Sequence, residues 1–96
     1  MTLSEFKESL RQAEPPNPLP PLLKALWYDA KGDWNTAHNV AQDINTKDGS
    51  WIHAYLHRKE GDGGNAAYWY RRASQPVYTK SLSEEWDAIA ISLLSQ

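Results

Sequence analysis

Residues Ser50–Ala73 read SWIHAYLHRKEGDGGNAAYWYRRA. In the first part, Trp51, Ile52, Tyr55 and Leu56 recur at helical spacing with Ala54 at one edge of their arc, and His53, His57 and Glu60 fall together on the other side. Gly61–Gly64, GDGG, has the composition of a turn. Beyond it, Ala66, Trp69, Tyr70 and Ala73 share one face of a second helix over Asn65–Ala73, and Pro76 stops it. The stretch therefore predicts two helices joined by a Gly-rich turn. The first, Trp51–Glu60, is apolar around so much of its circumference that it belongs at the centre of the molecule.

The neighbouring segments supply packing partners. Upstream, Trp34, Ala37, Val40, Ala41 and Ile44 align at about 100° per residue on a helix spanning Trp34–Ile44, with Asp33 as its N-cap. His38, Gln42 and Asn45 border that face, half-buried and in need of hydrogen-bond partners. Asn45–Gly49, NTKDG, reads as a turn, with Asp48 or Ser50 capping the central helix. Before Gly32 lies another helix, LLKALWYDAK, on which Leu22, Leu23, Leu26, Trp27 and Ala30 make a broad apolar arc; Pro21 fits its first turn.

Glu14–Pro21 holds five of the six prolines and is read as an extended strap, a stiff connector rather than a ligand for an aromatic groove. Thr2-x-x-Glu5 fits a capping box for a first helix running to Ala13, with Leu3, Phe6 and Leu10 as its stripe. Ser81-x-x-Glu84 fits a second box, ahead of the buried stripe Trp86, Ile89, Ala90, Leu93 and Leu94. No segment reads as a strand. The expectation is a single all-α domain of six helices: an N-terminal helix and strap (1–21), a hairpin (22–45), a second hairpin (50–76) and a closing helix (81–96).

Ninety-six residues suffice for one domain with a modest core, and five Trp with five Tyr supply much of its apolar area. The net charge of −2, with acidic and basic residues interspersed, argues against a nucleic-acid surface, which needs clustered Lys and Arg. Without cysteine there is neither a disulfide framework nor thiol chemistry. The N-terminal residues carry charges where a signal peptide needs an apolar core, and no run approaches the about 18 apolar residues of a membrane span. The expected location is the cytoplasm.

Sliding the sequence by 29 residues aligns Ala25 with Ala54, Trp27 with Leu56, Tyr28 with His57, Gly32-Asp33 with Gly61-Asp62, Ala37 with Ala66 and Ile44 with Ala73. A small residue lets helices approach, Gly ends one helix at positive φ, and Asp caps the next. This pattern resembles the tetratricopeptide class of helix–turn–helix repeat over about Leu22–Pro76, with a period shorter than that class's roughly 34 residues. NAAYWYRRA is similar to the second helix of related short helical repeats. The combination KGDWxxAH and WIHAYLHRxEGDxxNAxYWYRRA resembles a family of small bacterial proteins that brings no activity to carry over. What the repeat resemblance implies is two tandem hairpins and the binding of a protein or peptide.

One polar constellation stands apart. His53 and His57 sit one turn apart on a helical face, Glu60 follows, and His38 lies on the preceding helix. Three imidazoles and a carboxylate are a ligand set for zinc or another transition metal with an open position. The His-Glu-x-x-His pattern of zinc proteases is missing, because Ala54 stands where the general base would. The alternative is structural: His57 aligns with Tyr28, a packing ring with a polar tip. GDGG lacks the Lys-Ser/Thr of a phosphate loop, and no serine lies in a nucleophile elbow. Tyr68 is a candidate surface ring. The leading expectation is a non-enzymatic interaction module without cofactor, binding a partner protein or itself as a homo-oligomer. The rival is a small-ligand or metal-binding protein, open to being an enzyme, that uses His38, Gln42, His53, His57, Glu60 and Tyr68.

Overall fold

A computed structural model describes residues 1–96 and shows an all-α molecule of six helices: α1 (Leu3–Ser9), α2 (Pro21–Ala30), α3 (Trp34–Gln42), α4 (Lys47–Lys59), α5 (Gly63–Arg72) and α6 (Leu82–Leu94). Helix α4 is the hub. It packs against α2, α3, α5 and α6, and every residue from Gly49 to His57 is buried. Helix α2 also packs on α3 and α6, and α1 lies against α6. The core gathers Phe6, Leu23, Leu26, Trp27, Ile52, Leu56, Tyr70, Trp86 and Ile89, so all the helices except α3 put a large side chain into it; α3 contributes Ala37 and Ala41, which let its backbone come close. Phe6 stacks on Trp86 with centroids 5.5 Å apart, which fixes α1 to α6.

The turns on either side of α3 and α5 follow from their residues. Gly32 and Gly61 adopt φ of +86° and +90°, a region that a Cβ disfavours. The N–H groups of Asp33 and Asp62 then donate back to the carbonyls of Tyr28 and His57, both at 2.9 Å. Each aspartate accepts from the backbone N–H three residues on, at Thr36 and Asn65, and so caps the following helix. These two junctions, 29 residues apart, share conformation as well as composition.

Several boundaries move from their expected places. Helix α1 has its complete capping box but ends at Ser9, four residues early; the chain past it is tied down by Lys31, whose ammonium donates to the carbonyls of Leu10 and Gln12 at 2.8 and 2.9 Å. In α2, Asp29 is buried and Ala30 is exposed, so the burial face is rotated from the apolar arc read in the sequence. Gly63 and Gly64 form the first turn of α5 rather than a loop. At α6 only half of the expected box forms. Ser81 accepts from the Glu84 N–H, but the Glu84 carboxylate takes the Ser81 hydroxyl instead of the backbone N–H.

The largest shift is at α4, which starts at Lys47 with Thr46 as its cap, so the NTKDG segment is half helix. Gly49 makes this possible. A Cβ there would overlap the Ile44 carbonyl oxygen, so only glycine lets the incoming chain lie against the first turn. Gly49→Ala is expected to destabilise by about 2 kcal/mol, outweighing its helix-propensity gain. A thermal melt checks this, with a drop of about 10 °C expected for a chain of this size; an unchanged melt would show that the α3–α4 connection relaxes freely.

Candidate functional site

The three histidines meet where α3, α4 and α5 pack together. Helix α4 carries His53 and His57, each more than nine-tenths buried, and α3 brings the half-buried His38 across to them. The Nε2 atoms of His38 and His53 are 2.9 Å apart, one donating to the other. Taking one ring nitrogen from each, the three histidines hold their nitrogens within 4.8 Å of one another. None of the rings is hydrogen-bonded to backbone; their partners are each other, Glu60 and Asn65.

Two indoles hold the rings in place. Trp34 stacks on His38 with centroids 4.7 Å apart and planes 10° from parallel, and its own Nε1–H is anchored on the Leu56 carbonyl at 2.9 Å. Trp69 stacks on His53 at 3.9 Å. The plane of His38 stands nearly perpendicular to those of His53 and His57. Such confinement removes rotamer freedom from all three imidazoles before anything binds.

Glu60 reaches the cluster from the C-cap position of α4, with its Oε1 3.3 Å from Nδ1 of His57. With Nδ1–H donating to that carboxylate, the Nε2 lone pair of His57 is the one left for a ligand. Asn65 presents its amide beside the same ring, 3.4 Å from Nε2 and 3.5 Å from Nδ1. Burial pushes His53 down to about 4, and the neighbouring His38 and His57 add to the effect. His38 is lowered as well, chiefly by burial and by His57, with Glu60 opposing. At neutral pH His38 and His53 are therefore uncharged, and an ion that displaces the proton shared between their Nε2 atoms would find a lone pair on each.

Gln42 and Tyr68 stand outside this arrangement. Gln42, expected half-buried beside His38, is exposed at the end of α3, where its amide is 3.4 Å from the Asn39 side chain. Tyr68 is 45% exposed on α5, and its hydroxyl accepts from Arg72 at 3.1 Å.

A second set of buried polar groups went unread in the sequence. Glu85 of α6 is fully buried and accepts from Tyr70 Oη at 2.6 Å, Arg58 Nη1 at 3.0 Å and Trp51 Nε1 at 3.1 Å. Asp29 of α2 accepts from Tyr55 Oη at 2.7 Å and Lys59 Nζ at 2.9 Å. Burial, together with these carboxylates, pushes both phenols well above the usual tyrosine range. With every carboxylate oxygen in use, these networks hold α2 and α6 to α4 and offer nothing to a ligand. The available signal was periodicity: Glu85 is four residues before Ile89, and Asp29 four after Ala25, both on buried stripes.

The surface clefts open away from the histidines, along α1 at Ser4 and Glu8, beside the strap at Asn17 and Lys24, between Leu23, Ile44 and Leu93, and at Val77–Thr79. No helix is long and apolar enough to cross a membrane. No family model, curated protein or solved structure matches the chain.

Proposed function

We propose that this protein binds a transition-metal ion of the zinc class through His38, His53 and His57. The observation that carries the reading is the convergence of three imidazole nitrogens that have no backbone partner. Zinc–imidazole bonds of about 2.0–2.1 Å place tetrahedral donors about 3.3 Å apart, so the 2.9 Å His38–His53 contact would open by a few tenths of an ångström while His57 closes in from within 4.8 Å. The donor type selects the ion: imidazole suits zinc, copper, nickel and cobalt, whereas calcium and magnesium want oxygen. Lack of a cleft beside the rings favours a bare ion over an organic ligand. Glu60 orients His57 from its Nδ1 edge, and a fourth position is left to water.

Zinc at a hundredfold excess over its dissociation constant should stabilise the chain by about 2.7 kcal/mol. His38→Ala should abolish that gain. Glu60→Gln should weaken binding by about 10–100-fold, as loss of an orienting carboxylate does. A thermal melt with and without zinc reads all three, and a parent chain whose melt zinc does not move would sink the proposal.

A second reading is an interaction module on two tetratricopeptide-like hairpins. The matching Gly-Asp junctions support the scaffold. Support for the surface comes from Tyr68, which lies exposed with the Arg72 guanidinium 5.9 Å above its ring, the aromatic–arginine composition that interfaces prefer. On this reading the parent self-associates in sedimentation, and Tyr68→Ala does not.

A further inference from the structure

We propose that α1 is an exchangeable arm: two copies of this chain trade their N-terminal helices, each α1 docking on the α6 of the other, and so form a closed dimer. This is independent of metal binding, because His38, His53 and His57 lie on α3 and α4, against which α1 does not pack.

The arm has one anchor. Phe6 is completely buried and stacks on Trp86, with centroids 5.5 Å apart and planes 9° from parallel. Lys7 adds an ion pair with Asp87 at 3.0 Å, both side chains being partly exposed. Among the helices, α1 packs only on α6. The seat on α6 is built without the arm: Trp86 donates from Nε1 to the Leu26 carbonyl at 3.1 Å, which fixes its ring against α2. The arm itself is seven residues long, and isolated helices shorter than about 12–15 residues are marginal in water. Undocking would also return Phe6 and the face of Trp86 to water. The arm therefore stays seated, and its only freedom is whose α6 carries it.

The connection favours a second copy. Residues 11–18 include no buried residue, whereas Ser9 before them and Leu19 after them are buried. Open space flanks the segment on both sides. A cleft of about 510 Å³ separates α1 from Pro16, and another of about 380 Å³ lies between Glu14, Asn17 and the α2 side chains Lys24 and Tyr28. The segment's one hydrogen bond to the body of the molecule runs from Lys31 to the Gln12 carbonyl, and Lys31 of a second copy reproduces it. In the closed chain the segment bends at residues 11–14 and again at 17–18. Pro15, Pro16 and Pro18 resist such bending. Eight residues in polyproline II geometry span about 25 Å, which matches the 25 Å width of the molecule. A flexible chain of that length averages only about 16 Å between its ends. A bent, proline-stiffened hinge between a docked helix and its body is the arrangement that invites exchange. Reciprocal exchange fills both seats, so assembly stops at two copies.

Charge reversal at the Lys7–Asp87 pair tests the exchange in the full chain. Lys7→Glu and Asp87→Lys each set like charges across the arm and its seat, at positions exposed enough to accept either sign. When the two variants are refolded together from urea at millimolar concentration, only a reciprocal heterodimer restores opposite charges at both seats. With one variant labelled in heavy nitrogen, native mass spectrometry should find the ratio of heterodimer to homodimers about tenfold above random mixing. Replacing Pro15, Pro16 and Pro18 together by Gly should lower the parent's dimer fraction about fourfold, because a flexible hinge closes on its own body more readily. A parent that refolds wholly as monomer at millimolar concentration, a random heterodimer ratio, or a dimer fraction unmoved by the hinge variant overturns the exchange. Loss of the dimer in Tyr68→Ala also overturns it and moves the contact to α5.

Discussion

Glu85→Ala is expected to cost about 3–5 kcal/mol, the range for removing one partner of a buried ion pair. The carboxylate is fully buried, so its own desolvation cost is offset only by its three donors. Truncation leaves the Tyr70 hydroxyl and the Trp51 indole N–H without acceptors. It also strands the Arg58 guanidinium, whose remaining polar partner is the Lys80 carbonyl. A cavity in the middle of the core adds to the loss. For a chain of this length, with total stability of roughly 5–15 kcal/mol, most of the fold's margin would go. Glu85→Gln keeps the shape and an acceptor but loses the charge, so it should cost less. Replacing Glu85 and Arg58 together by Met removes both charges and should recover much of the Glu85→Ala loss. Urea unfolding ranks the three. Equal losses for Glu85→Ala and Glu85→Gln would mean that the charge, and not the acceptor or the volume, holds α6 to α4.

That carboxylate also marks where the sequence stops being readable. The helices were legible because the apolar residues recur at helical period and because Gly32, Asp33, Gly61 and Asp62 punctuate them. The centrality of α4 followed from Trp51, Ile52, Tyr55 and Leu56 covering so much of its surface. The histidine trio was legible for the same reason: His53 and His57 share a face, and His38 borders the apolar face of the helix before. Gln42 sits close in angle to His38, but angle says nothing of how far along its axis α3 stays in contact with α4. Gly49 belongs to another class. Its segment has the composition of a turn, and the sequence does not reveal that Thr46 caps a helix there whose first turn lies so close to the Ile44 carbonyl that a Cβ would overlap it. Glu85 and Asp29 escaped notice because a charge on a helix is ordinarily solvated; their burial depends on Trp51, Tyr55, Tyr70, Arg58 and Lys59 arriving from elsewhere in the chain.

The metal-free protein should lose about 3 kcal/mol of stability through His53 alone as the pH falls from 6.5 to about 4. In the unfolded chain His53 protonates near its ordinary value. In the folded chain burial and the adjacent imidazoles hold it near 4. Between those two values the unfolded state binds the extra proton, so stability decreases as pH decreases, by at most about 1.4 kcal/mol per pH unit for one group. Above 6.5 neither state binds it, and below 4 both do, so the contribution is flat on either side. His38, lowered in the same direction, steepens the slope. Carboxylates titrate at the acid end too, so the informative quantity is a difference between parent and variant. His53→Phe keeps a ring against Trp69 and removes the titration. Urea midpoints at pH 7, 5.5 and 4.5, measured with chelator present, should converge for parent and variant as the pH falls, because only the parent loses this term. Parallel curves would mean that His53 takes its proton as readily in the folded chain as outside it, which the 3.9 Å stack on Trp69 and the His38 contact argue against.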